Sequence, residues 1–487
     1  MRYAALVIAG LLASCSMAPK YVQPDLPVPQ SWPVGDAYLA QSEAALPVNS
    51  YTDVFVDPRL RQVIEQALAN NRDLRVAAAN IAATRAQYRI QRAQILPEIT
   101  ASAGGTRFDN GTANQNRNQG TGVGTGTGTG TGNTTNFSNA GSRYTADIGT
   151  TAFELDLFGR LQSLSDAALN RYFGTEAAAR ATRLTLVGDV ADAWLTYAAD
   201  RSLMQLAQDT AANARESVKL TRLRLDGGIA PRTDLRQAEQ VLAAAEADIA
   251  GLTTALAQDA NALQLLVGAP VDPALLPQSI ADARGAVKEL PAGVDSTILL
   301  RRPDVLQAEY ELRAANAEIG AARAALFPRI SLTGLAGLAS NALSALFTGG
   351  AFNYSVGADV SYSLFAGGAV RAGVAQTQAQ RDAAVATYEG AIQAAFRDVS
   401  DALARRGTIA EELRANSASV AAADDNYKLT DMRYRGGLES FLASLIAQRT
   451  LYTAQRTLVA SQLVEASNLV TLYRSIGGET VATPAQH

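Results

Sequence analysis

The segment from Phe352 to Leu364 sets Tyr354, Val356, Ala358, Val360, Tyr362 and Leu364 in alternation with Ser355, Gly357, Asp359, Ser361 and Ser363. Successive side chains of a strand point to opposite faces, so one face is apolar with aromatics at both ends and the other is small and polar. That pattern suits a strand with lipid on one side and water on the other. A soluble sandwich shows the same alternation but needs many such strands, and only four can be found here, at about 98–107, 143–155, 329–338 and 353–364. Four strands do not close a membrane barrel, which takes about eight. An open sheet edge cannot be left in hydrocarbon either. If these strands span a membrane, several copies of the chain must pool them.

The rest of the chain is long helix. After Leu157-Phe158-Gly159 a helical run with few breakers continues to about Leu225, roughly 100 Å of helix at about 1.5 Å per residue. Asp226-Gly227-Gly228 ends it, and Pro231 is expected at the first position of a returning helix over about 231–267. That helix carries Leu235, Ala238, Leu242, Ala245, Ile249, Leu252, Leu256, Leu263 and Leu266 at spacings of three and four, broken only by Asp259. Such a repeat specifies the seam of a left-handed coiled coil.

The plan then recurs. Leu96-Pro97 returns as Phe327-Pro328, Leu157-Phe158-Gly159 as Leu364-Phe365-Ala366-Gly367, Gly227-Gly228 as Gly436-Gly437, and Leu266-Val267-Gly268 as Ser475-Ile476-Gly477. The second long helix is expected over about 368–435. Its return over about 439–475 carries a seam of Leu442, Leu445, Tyr452, Val459, Leu463 and Val470. Two repeats follow, 57–296 and 297–478, with a tail at 479–487.

At the start of the chain, Arg2, the apolar Tyr3 to Leu12 and the small residues before the lone cysteine read as a targeting segment over 1–14. The segment resembles a bacterial lipoprotein signal, with Cys15 becoming the lipidated first residue. Ser16 stands where an inner-membrane retention signal would place aspartate, so the resemblance implies an outer-membrane address. Prolines at 19, 24, 27, 29, 33 and 47 make residues 15–56 an extended strap. Asp57-Pro58 opens a short helix, and Asp73 is expected to cap a second one that runs to Leu96. Residues 108–142, with alternating Gly and Thr from Thr121 to Gly132, are expected to be a mobile loop.

Chemistry-bearing constellations are few. The 487 residues carry a net charge of −4, with both signs spread throughout and no basic cluster for nucleic acid. One His and one Cys leave no internal disulfide, and they nearly exclude a His/Cys metal site or a Cys–His pair. Arg301-Arg302-Pro303-Asp304 reads as a helix start, Asp424-Asp425 as a solvated face, and Phe365-Ala366-Gly367-Gly368 lacks the Lys-Ser/Thr of a phosphate loop. No nucleophile–base pair presents itself, so an enzyme is not expected.

Several stretches carry a resemblance: Pro19-x-Tyr21-x-x-Pro24-x-x-Pro27, Asp57-Pro58-x-Leu60, Phe153-Glu154-Leu155-Asp156-Leu157-Phe158-Gly159-Arg160, and Leu300-Arg301-Arg302-Pro303-Asp304-Val305 through Asn316-Ala317, Ile319-Gly320 and Phe327-Pro328-x-Ile330-x-Leu332. On these, residues 15–478 resemble the outer-membrane factor family, the TolC-like channel lipoproteins of tripartite, RND-type efflux pumps. The resemblance implies a membrane α+β fold: a homotrimer whose twelve-stranded barrel, four strands per chain, continues into a helical coiled-coil barrel in the periplasm. It implies a passive exit duct for small molecules, closed at its tip until an inner-membrane transporter and a periplasmic adaptor protein engage it. No cofactor is expected beyond the covalent lipid on Cys15, and no partner among nucleic acids; outer-membrane lipid surrounds the barrel. A type I protein-secretion duct has the same architecture, and a trimeric coiled-coil surface protein shares the long helices.

Within the resemblance, gating belongs to the helix turns: Asp226, Gly227, Gly228, Asp234, Tyr434, Arg435, Gly436, Gly437, Glu439, Leu445 and Ile446. In the family, acidic residues shortly after the second turn ring the aperture, but Ala443-Ser444-Leu445-Ile446-Ala447 holds none. A ring of three Asp234 or Glu439 and an apolar constriction at Leu445 or Ile446 therefore both stay open. Tyr434 matches a position that helps latch the helices, and polar links around Tyr434, Arg435 and Asp234 are expected to resist opening.

Overall fold

The computed structural model of the chain describes residues 16–38, 50–109, 140–288 and 295–478. Cys15, most of the expected loop 108–142 and the tail 479–487 lie outside the described residues. The chain divides into two compact units, one of Met1–Tyr21, Ala86–Leu169 and Ala314–Arg381, the other of Val22–Arg85, Asn170–Arg313 and Asp382–His487. Among the described residues seven longer helices run as α1 (Pro58–Asn70), α2 (Arg72–Ala93), α3 (Arg160–Asp226), α4 (Arg232–Val267), α5 (Pro303–Ala324), α6 (Ala369–Arg435) and α7 (Phe441–Ser475). Among the described residues no helix is long and apolar enough to cross a membrane.

The first unit holds the sheet. Strands β1 (Thr100–Asp109), β2 (Ala140–Glu154), β3 (Arg329–Ser340) and β4 (Phe352–Ser361) pair in sequence order, each antiparallel to the next, so β1 and β4 each keep one unpaired edge. Tyr354, Val356 and Val360 stand 63 to 83% exposed on the apolar face of β4. The strand expected to reach Leu364 stops at Ser361, because Ser361 pairs with Arg329, the first residue of β3, and Pro328 before it has no N–H to extend the ladder. The first strand likewise opens at Thr100 instead of Glu98, because α2 ends at Ala93 and Gln94 to Leu96 still fold back on it by backbone hydrogen bonds.

In β2 the register shifts between Thr150 and Phe153, and Ala152 takes φ +59°. The extra residue reverses the parity, so Phe153 and not Ala152 continues the face of Tyr144, Ala146 and Ile148. At the end of the strand, Glu154 accepts two hydrogen bonds of 2.7 Å from Arg160. Phe158 stacks on Phe327 with ring centres 4.6 Å apart, joining the strand-to-helix corner of the first repeat to the helix-to-strand corner of the second. The strap crosses α5 at Gly320, where an added Cβ would lie 2.6 Å from Ser163 Oγ and 2.7 Å from the Ala18 nitrogen. Beside it Asn316 Nδ2 donates to the Pro19 carbonyl at 2.8 Å. The Asn316 and Ile319-Gly320 portions of the family-like stretch are thus the seat of the strap.

The second unit is built of helices around Trp194, Leu195, Phe55, Leu60, Ile64, Leu263, Ile280 and Tyr473, all fully buried. Trp194 Nε1 donates to the Leu275 carbonyl at 2.9 Å, and the Arg59 guanidinium lies over its ring. Trp32 of the strap is buried here, stacked 4.9 Å from Phe396, and Gln23 donates to the Tyr388 hydroxyl. Pro303 begins α5 as expected, and Arg302 before it clamps the end of α7, donating to the Ser475 carbonyl at 2.6 Å while paired with Asp304. Asp57 caps α1 through Arg59 N and Leu60 N.

Three local expectations are corrected in this unit. The side chain that caps α2 is Asn71, whose Oδ1 accepts from Leu74 N at 3.0 Å, and not Asp73. Asn71 also donates to the Leu266 carbonyl, so the same amide fixes α2 to α4. Pro231 is the N-cap of α4, extended at φ −75° and ψ 154°, and not its first helical residue. On α7 Ser440 is the cap, which sets Phe441 into the seam and leaves Leu442 49% exposed. The first seam packs as the spacing predicts at Leu235, Ala238, Ala245 and Leu263, all buried.

Candidate gating site at the helix turns

The two turns are the same motif built twice. After α3, Gly228 N donates to the Leu225 carbonyl and Ile229 N to that of Arg224; after α6, Gly437 N donates to Tyr434 and Leu438 N to Arg433. Those two pairings form a Schellman cap, whose central residue must be left-handed, and Gly228 and Gly437 have φ of +73° and +75°. The next residues, Ile229 and Leu438, are 79 and 77% exposed.

Behind the turns, Ala238 of α4 packs with Tyr434, Phe441 and Leu445, backed by Val218, Leu220 and Val241. The Tyr434 and Phe441 rings lie 5.2 Å apart. Leu445 is therefore buried within the chain, whereas Ile446 is 56% exposed. The Tyr434 hydroxyl is also buried, and among the described residues it meets no hydrogen-bond partner.

The polar link between the hairpins is made by a residue the sequence did not single out. Arg224 of α3 donates through Nη1 to the Tyr434 carbonyl at 3.2 Å and through Nη2 to the Arg435 carbonyl at 2.9 Å. Its guanidinium carbon sits 4.5 Å above the Tyr434 ring. It so meets the carbonyl end of α6, where a helix carries partial negative charge. The weak signal in the sequence was an arginine in the last turn of α3, a place where cations favour the helix dipole.

The other expected residues are distributed differently. Glu439 is paired with Arg433 at 2.7 Å and Arg435 with Asp431 at 2.7 Å. Asp234 lies in the first turn of α4, half-buried, with its backbone N bonded to the Pro231 carbonyl. Tyr434 and Arg435 are thus brought to Arg224 through their carbonyls. No described hydrogen bond brings Asp234 into that link.

An antiparallel sheet with two open edges, in a chain whose long helices reverse at matched glycine turns, defines a membrane channel subunit that shares its sheet with further copies. The chain belongs to the outer membrane efflux protein family, whose sequence model matches residues 63–269 and 295–478. It is 40% identical over 474 residues to the antibiotic efflux pump outer membrane protein ArpC of Pseudomonas putida, covering 97% of this chain and 94% of that protein. The toluene efflux pump outer membrane protein TtgC of the same species matches to the same extent. Among solved structures, the open state of the Neisseria gonorrhoeae MtrE outer membrane channel superimposes with a TM-score of 0.82 at 32% identity, over 96% of this chain and all of that one. The fold is that of the trimeric outer-membrane efflux channels, the class expected from the sequence, and the family is one of channels and not of enzymes.

Proposed function

We propose that the chain is the passive exit duct of a tripartite efflux pump, taking small organic molecules from an inner-membrane transporter and a periplasmic adaptor and releasing them outside the outer membrane. Three chains pool their strands, Cys15 carries the lipid anchor, and the helices stand in the periplasm. The observation that carries the reading is the four-stranded sheet with free edges at β1 and β4, because only closure with further copies satisfies such edges in lipid. Relatives named for antibiotic and toluene efflux support small, largely apolar cargo.

At the helix turns, the Arg224 link and the Tyr434 cluster hold the two hairpins of one chain together in the closed state. Of the two apolar candidates for the constriction, Ile446 suits it better than Leu445, being exposed where Leu445 is packed. Asp234, outside the intrachain link, remains the acidic candidate.

Deleting the chain from its host should raise the cellular accumulation of a fluorescent efflux substrate, and re-expression should restore export. In detergent the purified protein should sediment near three times its 51.0 kDa chain mass. Unchanged accumulation together with a stable folded monomer would contradict the reading.

A further inference from the structure

Asp259, the one residue that breaks the apolar seam of α4, is absorbed by none of the above. It stands between Leu256 and Leu263 and meets Asp200 of α3 across the seam, the two carboxyl groups in hydrogen-bond contact. Asp259 Oδ2 is shut from solvent, and with both carboxyls ionised no donor among the described residues reaches it. Among the described residues no cation acts on the pair. Arg201, next along α3, is exposed. Helices α1 and α7 pack on α4: on α1, Arg59 is committed to Asp57 and Asp282 and Arg61 to the Val56 carbonyl, and on α7, Arg456 lies 3.7 Å from Asp248 while Glu465 is paired with Arg284. Glu65 on α1 is exposed, and none of these charges acts on either carboxyl.

Two ionised carboxylates in contact repel, so this arrangement is favourable only while the pair holds a proton. We propose that Asp200 and Asp259 are a proton-held latch in the first helix hairpin, fastening α3 to α4 in acid and loosening the seam when the proton leaves. The second repeat supplies the contrast. The long helices end at Asp226 and Arg435, an offset of 209 residues, which carries Asp200 and Asp259 onto Ile409 and Asn468. Ile409 is buried and apolar, and Asn468 is neutral and donates to the Ala402 carbonyl at 3.1 Å. One hairpin is therefore sensitive to pH and its counterpart is not.

Burial, with the facing Asp200 carboxylate, raises Asp259 to about 6, and burial raises Asp200 as well. The folded hairpin thus binds a proton more tightly than the unfolded one, whose carboxyl titrates near 3.8. The linkage runs opposite to that of an ordinary salt-bridged aspartate: stability rises as pH falls from about 6 towards 4, and the advantage is gone above 6. With those two values, the equilibrium for opening the seam changes by about tenfold between roughly pH 5 and pH 7.5. The pair titrates as a unit, so the effect belongs to both residues.

Amide hydrogen exchange on the full-length protein in detergent, corrected for the intrinsic effect of pH on exchange, reads this directly. Segments around Asp200 and Asp259 should lose about tenfold in protection from roughly pH 5 to pH 7.5, while those around Ile409 and Asn468 stay level. Asp259→Asn mimics the protonated partner and should keep the acid level of protection at both pH values. Asp200→Asn should do the same, and provides an independent reading if the first variant assembles poorly. Equal protection of the wild-type seam at both pH values, or a pH dependence that survives in both Asn variants, would overturn the latch.

Discussion

Tyr452 on α7 donates its hydroxyl to Asp248 on α4 at 2.7 Å, tying the returning helix of one repeat to that of the other. Arg456 lies 5.6 Å over the Tyr452 ring and 3.7 Å from the same carboxylate. Burial and the facing Asp248 push the phenol up to about 12.

Tyr452→Phe should therefore lower stability by about 1 kcal/mol, the net worth of a partly exposed hydrogen bond. A raised phenol contributes stability that is whole below its unfolded value of 10 and lost as pH rises through about 12. Denaturation in detergent should show this alkaline step in the wild type and a smaller one in the variant. Identical alkaline profiles would remove Tyr452 from the account.

Strand number, glycine turns and seam spacing could be read from the sequence because each is local. The pattern at Tyr354, Val356 and Val360 follows from a period of two, and Gly228 and Gly437 answer to one backbone angle. What the sequence did not reveal depends on partners far along the chain. The end of β4 at Ser361 is fixed by where β3 begins, and Asn71 displaces Asp73 as a cap while bonding Leu266. At the candidate site, Tyr434 was singled out for a polar latch, yet its carbonyl and ring make the contact and its hydroxyl does not. Arg224 looked like any charged residue near a helix end until α6 was placed beside it.

Trp32 should matter to stability as a core residue does, although it lies in a proline-rich strap. It is 4% exposed and stacked on Phe396, and Trp32→Ala should cost about 3 kcal/mol or more. Val34, two residues on and 84% exposed, should change stability by less than about 0.5 kcal/mol when replaced by Ala. Chemical denaturation of the two variants side by side checks the contrast, and equal effects would show that the strap is not docked.

Cys15→Ser, exported with a different cleavable signal, should abolish labelling by radioactive palmitate while the protein still assembles in the outer membrane. A single lipid chain adds only marginal anchoring beside membrane-spanning strands. Retained label, or a soluble protein, would contradict the roles given to Cys15 and to the sheet.

The duct reading with a closed helical end is tested most directly by single-channel conductance of the full chain in planar bilayers. Arg224→Ala removes two hydrogen bonds to carbonyls at the end of α6, a loss of about 1–3 kcal/mol. It should raise conductance well above a low wild-type level. Arg224→Lys, which cannot present the same fork, should fall between. Deleting Thr121 to Gly132 should leave conductance as it was. An Arg224→Ala channel no more conductive than the wild type, or an equal rise on deleting that stretch, would contradict a constriction held at the helix turns.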